Sequence, residues 1–193
     1  IYVAMDSADT WANPWLFKLD EKNCPTQVAG CPPDGFSATG QLWGNPLYRW
    51  EYHRQTGYEW WLKRLSHCFK LYDAVRIDHF RGFDQYYSIP YGAEDATRGH
   101  WEQGPGIDLF NRVRQVLGEK EVIAEDLGYV TDSVRKLVYD SGFPGMKVLE
   151  FAFDSRDSGC ANDYLPHNYP ENSVAYTGTH DNETLAGWFD SIT

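Results

Sequence analysis

The chain has 193 residues, 42% of them hydrophobic and 23% charged, which suits a substantial folded domain and excludes a mainly disordered one. Its formal net charge is −11, the wrong sign for the basic faces that bind nucleic acid. Cys24, Cys31, Cys68 and Cys160 make neither a C-x-x-C pair nor a zinc-spaced Cys/His cluster, and no apolar run is long enough to span a membrane. Four scattered thiols read as reduced and cytosolic, and Ile1 opens on a strand-like run where a signal peptide would carry charge and then an apolar core. Aromatic residues reach 16%, with 8 Trp and 13 Tyr. Their flat apolar faces and polar edges suit sugar rings, although most aromatic residues belong to cores.

Taken in chain order, the first predicted element is a strand over Ile1–Met5. The stretch Asn23–Leu47 is dense in Gly, Pro, Ser and Asn and is predicted to be one long loop, of the kind that in a folded domain is usually a lid or binding loop. After Gly57, Trp61, Leu62, Leu65, Phe69 and Tyr72 recur at helical spacing. The run Ala74–Ile77 is a strand. Leu109, Phe110, Val113, Val116 and Leu117 mark a second helix closed by Gly118. Val122–Ala124 is the next strand. Thr131 or Asp132 can cap a third helix carrying Val134, Leu137 and Val138, ending near Gly142. Strands over Lys147–Phe151 and Ser173–Tyr176 follow. Short β-branched runs separated by helices read as an α/β fold around a parallel sheet.

Carboxylates follow three of these strands. Asp78 follows Ala74–Ile77, Glu125 and Asp126 follow Val122–Ala124, and Asp181 and Glu183 follow Ser173–Tyr176 across Thr177-Gly178-Thr179-His180. The C-terminal edge of a parallel sheet is where such folds bind ligands and do chemistry. A single acid there can be only a helix cap, and Asp126 or Asp181 could serve that way; acids at three strand ends are harder to explain as caps. Two carboxylates in one site are the device that cleaves a glycosidic bond, one attacking the anomeric carbon and the other protonating the leaving oxygen. Arg76, two residues before Asp78, shares its strand face and favours the anionic form of that acid. Glu125 follows the wholly apolar Val122-Ile123-Ala124, so a partly desolvated carboxyl with a raised pKa is expected. Asp181 with His180 can hold hydroxyls of the reacting sugar.

The segments Arg76-Ile77-Asp78-His79-Phe80-Arg81-Gly82-Phe83, Ile123-Ala124-Glu125-Asp126-Leu127-Gly128 and Tyr176-Thr177-Gly178-Thr179-His180-Asp181-Asn182 closely resemble signature segments of the amylomaltases. So do Gly142-Phe143-Pro144-Gly145-Met146-Lys147-Val148-Leu149 and Gly40-Gln41-Leu42-Trp43-Gly44-Asn45-Pro46-Leu47-Tyr48. The resemblance is to the 4-α-glucanotransferases of glycoside hydrolase family 77, allied to the α-amylase clan, and it runs from Ile1 to Trp188.

It implies a (β/α)8 TIM barrel, of which this chain supplies about five βα units in one partial catalytic domain. It also implies a retaining, double-displacement mechanism with Asp78 as nucleophile, Glu125 as general acid/base and Asp181 as transition-state stabiliser. Arg76 and His180 would bind the donor sugar, Asp34 and Phe36 of the mobile loop would reach toward the acceptor, and Trp43 and Phe151 would stack on glucose rings. The implied partners are α-1,4-glucan (maltodextrin) donors and acceptors and glucose, with no cofactor, metal, nucleic acid or membrane, in a bacterial cytoplasm or a plastid. An amylase-like hydrolase and a non-catalytic glucan-binding module are the alternatives; the full set of acids speaks against the second. A closed barrel has eight strands and about 250 residues. The 193 residues are therefore expected to be a piece of a longer enzyme, lacking a family Gly-Asp before Ile1, and to be inactive alone.

Overall fold

Hydrogen-bonding direction separates the chain into two four-stranded sheets. The structure is a computed structural model describing residues 1–35, 37–128, 130–153 and 162–192. Helix α1 spans Ala8–Ala12; strands β1 (Gln27–Cys31) and β2 (Gln41–Pro46) follow, then helices α2 (Trp50–Gln55) and α3 (Glu59–Leu71). Strand β3 (Ala74–Ile77) leads into β4 (Gln85–Pro90), β5 (His100–Gln103) and α4 (Ile107–Leu117). The remainder comprises β6 (Glu121–Ala124), α5 (Asp132–Ser141), β7 (Gly145–Val148), β8 (Ser173–Tyr176) and α6 (Leu185–Ile192).

The parallel sheet has the order β3-β6-β7-β8, with Ala74 to Ile77 opposite Glu121 to Ala124 in unbroken register. Each connection between neighbours carries a helix or a longer excursion, as parallel pairing requires. Thr131 caps α5 by accepting from the Val134 N–H, and Gly142, at φ 73°, closes it in the left-handed conformation. Inner strands β6 and β7 are the better buried; β3 and β8, at the edges of the described sheet, are only partly covered.

The second sheet, in the order β2-β1-β4-β5, is antiparallel throughout. It corrects the expectation of βα alternation along the whole chain. Strands β1 and β2 lie inside the stretch Asn23–Leu47 read as a single loop, so only their surrounding turns and the connection between them fit that reading. Two further sequence expectations also change. Ile1–Met5 is not a strand. Its carbonyls are taken by side chains instead of a ladder partner: Ile1 O accepts from Tyr48 Oη at 2.7 Å, and Val3 O from Asn45 Nδ2 at 2.9 Å. Ala4 O accepts from Thr10 Oγ1 at 3.0 Å. The strand expected over Lys147–Phe151 ends at Val148, and Leu149–Phe153 forms a 3-10 helix whose Glu150 N–H donates to Thr177 O.

The main core lies between the parallel sheet, its helices and the near side of the antiparallel sheet. Phe80, Phe83 and Phe110 form its centre, Phe80 stacking on Phe110 at 4.9 Å and Phe83 meeting it edge-on at 5.1 Å. Tyr48, Trp50 and Trp61 continue the aromatic packing toward α2 and α3. Truncating Phe110, which is 2% exposed, is expected to cost about 3–5 kcal/mol, whereas Tyr139→Ala on the surface should stay within about 0.5 kcal/mol of wild type. Urea-unfolding midpoints of the two variants check this.

Candidate active site

Strand β3 sets the first part of the site. Period-two alternation puts Arg76 and Asp78 on one face, and Arg76 Nη2 lies 2.8 Å from Asp78 Oδ1. The guanidinium also places Nε 3.1 Å from Met146 Sδ of β7, so it is anchored across the sheet as well as to its acid. Asp78 is the more open member of the pair, its carboxylate facing a cavity.

Glu125 stands at the end of β6, next to β3 in the sheet, and its surroundings are different. Its backbone N–H donates to Ile77 O, and its carbonyl accepts from Phe80 N–H, each at 3.0 Å. The side chain is held at both oxygens, Oε2 by the His79 N–H at 2.6 Å and Oε1 by the Leu127 N–H at 2.9 Å. Burial pushes the Glu125 pKa above the ordinary carboxylate value, and the charge of Asp78 adds to the rise. The two backbone N–H groups and Arg76 oppose it without cancelling it. Asp126, the next residue, turns away from the cavity and accepts from the Met146 N–H at 2.8 Å. Its neighbour Gly145 leaves it room: a Cβ there would meet the Asp126 carboxylate at 2.6 Å. Asp126 thus braces β6 against β7.

The third acid sits on a tight turn after β8. Asn182 Oδ1 accepts from both the N–H and the hydroxyl of Thr179 at 2.9 Å, and Thr179 Oγ1 accepts from the Asp181 N–H at 3.2 Å. This turn presents Asp181 to the cavity and leaves His180 beside it, Nε2 to Oδ2 3.4 Å, with both side chains mostly exposed.

Asp78, Glu125 and Asp181 line one open cavity of about 620 Å³, together with Arg76, Trp43 and Phe151. Trp43 comes from β2 and Phe151 from the 3-10 helix after β7, so both sheets contribute to the walls. Asp34 does not line this cavity. It borders a second one of about 400 Å³ with Pro32, Pro33, Arg81 and Trp101, joined to the first through Trp43, His79, Leu127 and Gly128. Asp34 Oδ1 accepts from the Ser37 N–H at 2.8 Å, which shapes the turn between β1 and β2. Phe36 lies outside the described residues. Tyr2, Asn45, His79, Thr179 and Asn182 also reach the first cavity, and no motif of the sequence assigns them a role. The motif around Asp78 contains His79, but its neighbours in sequence do not disclose that its backbone N–H grips Glu125. Among the described residues, no group of three or more His, Cys, Asp or Glu side chains could hold a metal ion. None of the described helices is long and apolar enough to cross a membrane.

Comparison with known proteins gives the chain a family. The 4-alpha-glucanotransferase family model matches residues 1–193. The chain belongs to that family, glycoside hydrolase family 77. It is 53% identical over 191 residues to the 4-alpha-glucanotransferase of Clostridium butyricum, covering 98% of this chain and 39% of that protein. It is 47% identical over 192 residues to the chloroplastic/amyloplastic 4-alpha-glucanotransferase of Solanum tuberosum, covering 100% of this chain and 33% of the other. The amylomaltase of Streptococcus agalactiae, solved in complex with acarbose, superposes on the whole chain with a TM-score of 0.95 at 46% identity, over 39% of its own length. The chain therefore spans well under half the length of these family 77 proteins.

The charges around Glu125 have signed consequences. A titration of its side-chain carboxyl by carbon-13 NMR should have a midpoint above the ordinary carboxylate range, because burial and Asp78 both raise it. Asp78→Asn should lower that midpoint, and Arg76→Met should raise it further. Shifts of the opposite sign would contradict the electrostatic assignment.

Proposed function

We propose that this chain carries the catalytic acids of a 4-α-glucanotransferase, which cleaves an α-1,4-glucan and transfers the glycosyl unit to the 4-hydroxyl of another glucan or of glucose. The observation that supports it best is the contrast between two carboxylates in one cavity. Asp78 is ion-paired and open to the cavity, whereas Glu125 is desolvated with its pKa raised. Glycoside chemistry with retention needs that pair of states: an anion that attacks and an acid that holds its proton until the leaving oxygen takes it.

In this reading Asp78 attacks the anomeric carbon and forms a β-linked glycosyl-enzyme while Glu125 protonates the departing sugar oxygen. The Glu125 carboxylate then takes the proton from the incoming 4-hydroxyl, whose oxygen displaces Asp78 and restores the α-linkage. Asp181 and His180 hold the sugar whose ring becomes positively charged. Arg76 keeps Asp78 aligned, and Trp43 and Phe151 offer apolar faces to glucose rings. Transfer prevails over hydrolysis when the acceptor excludes water from the glycosyl-enzyme, a role suited to the connection between β1 and β2 with its bordering cavity. We further infer that β3, β6, β7 and β8 are consecutive strands of a (β/α)8 barrel. The acids then sit at its C-terminal face, where barrels of this kind carry their active sites.

Two variants of the full-length protein test the roles separately. Asp78→Asn should lower kcat by several orders of magnitude while maltodextrin binding persists. Retention of more than about a tenth of the activity would remove Asp78 from the nucleophile role. Glu125→Gln should lose activity on maltotriose yet keep a glycosylation burst on maltosyl fluoride, whose leaving group needs no proton. Products from maltotriose distinguish transfer, which yields glucose and longer oligomers, from hydrolysis, which yields only shorter ones.

A further inference from the structure

The grip on Glu125 comes from a residue in an uncommon conformation. His79 has φ 51° and ψ 50°, in the left-handed region that L-residues with a Cβ enter only against a steric penalty. In that conformation the N–H of His79 points to Glu125 Oε2 at 2.6 Å, and the chain reverses so that Phe80 N–H reaches the Glu125 carbonyl. The imidazole is wedged in place. It meets Trp43 edge-on with ring centroids 4.8 Å apart, lies 6.2 Å from the Tyr2 ring, and packs against the backbone at Gly82. A Cβ on Gly82 would stand 3.0 Å from His79 Cδ2, close enough that the ring would have to shift by a few tenths of an ångström. Nε2 is buried and has no hydrogen-bond partner, so no side-chain hydrogen bond from that atom explains why the ring is held.

We propose that His79 is a positioning residue for Glu125: its ring, clamped between Trp43 and Gly82, holds the backbone in the left-handed conformation that aims its N–H at the carboxylate. The proposal rests on the reading of Glu125 as the proton donor for its functional meaning, but not for its geometry. A backbone N–H at 2.6 Å stabilises the carboxylate form, so this contact restrains the rise that burial imposes on Glu125. Among the described residues, the other charged or titratable groups that face this carboxyl are Arg76 of β3, Asp78 just after it, and Tyr164 from the segment after β7. His79 itself stays neutral, its pKa lowered to about 4 by burial and then by Arg81. Its influence on Glu125 is therefore conformational and does not require a charge on the ring.

Three substitutions separate backbone from side chain in the full-length protein. Glycine lacks the ring but enters the left-handed region without penalty, asparagine tolerates it, and alanine lacks both the ring and the tolerance. The readout is the carbon-13 titration of the Glu125 carboxyl, assigned by the resonance that disappears in Glu125→Gln. His79→Ala should raise the midpoint by about half a pH unit or more, because the turn relaxes and the N–H is lost to the carboxylate. His79→Gly and His79→Asn should stay close to wild type. A wild-type midpoint in His79→Ala, or a shift in His79→Gly as large as that in His79→Ala, would overturn the proposal. The alkaline limb of kcat/KM should move with the midpoint in His79→Ala. If the limb ignores the midpoint while the NMR series behaves as stated, the positioning role stands and the assignment of Glu125 as proton donor fails.

Discussion

The seam between β3 and β6 is the constraint on which the site depends. Parallel pairing brings Ile77 opposite Ala124, and the ladder then continues past the strand ends through Glu125 N–H to Ile77 O and Phe80 N–H to Glu125 O. Those bonds place the residue after β3 and the residue after β6 side by side. One is Asp78 and the other is Glu125. A register slip of one residue would turn each strand's side chains to the opposite face and separate the acids from the cavity they share. Register is protected from below, since Val122 and Ala124 of β6 are buried in the main core and could not be exchanged for the less apolar face without exposing it.

The two acids differ because the seam treats them differently. Asp78 projects from an edge of the described sheet, near a guanidinium and open space. Glu125 lies one strand inward, under Leu127 and His79, where water is largely replaced by backbone donors. Neither state depends on the acid's own chemistry; Asp and Glu have nearly the same intrinsic pKa. Position in the sheet sorts the open, ion-paired carboxyl from the desolvated one, and the fold makes that difference before any substrate arrives.

Much of this was legible in the sequence. The strand-end positions of Asp78 and Glu125 follow from strand runs that end directly in acids, that of Asp181 from an acid a short turn beyond Ser173–Tyr176, and the shared face of Arg76 and Asp78 from strand periodicity. The helices around Trp61, Leu109 and Val134 were marked by helical spacing and by Gly118 and Gly142 at their ends. The antiparallel sheet was not legible. Its strand β1 carries Gly30 and lies in a stretch rich in turn residues, so composition pointed to a loop while pairing made a strand. Gly30 is required there: a Cβ would come within 2.1 Å of the Gln41 carbonyl oxygen. A residue that looks like a breaker locally is the one that permits close strand approach. Ile1–Met5 is the opposite case, a run with strand composition whose carbonyls found side-chain partners instead.

This division has a chemical counterpart. The parallel sheet supplies charge, because strand ends put short polar side chains at one edge. The antiparallel sheet supplies surface, bringing Trp43 from β2 and Trp101 from β5 to the two joined cavities. If the proposed function holds, a glucan uses both, since its reacting bond is polar and its ring faces are not. His79 touches both halves: its N–H holds the acid of the parallel sheet and its ring rests on the tryptophan of the antiparallel one. The aromatic wall and the desolvated carboxyl of Glu125 meet at one residue, which makes the antiparallel sheet part of the support of that acid as well as part of the wall.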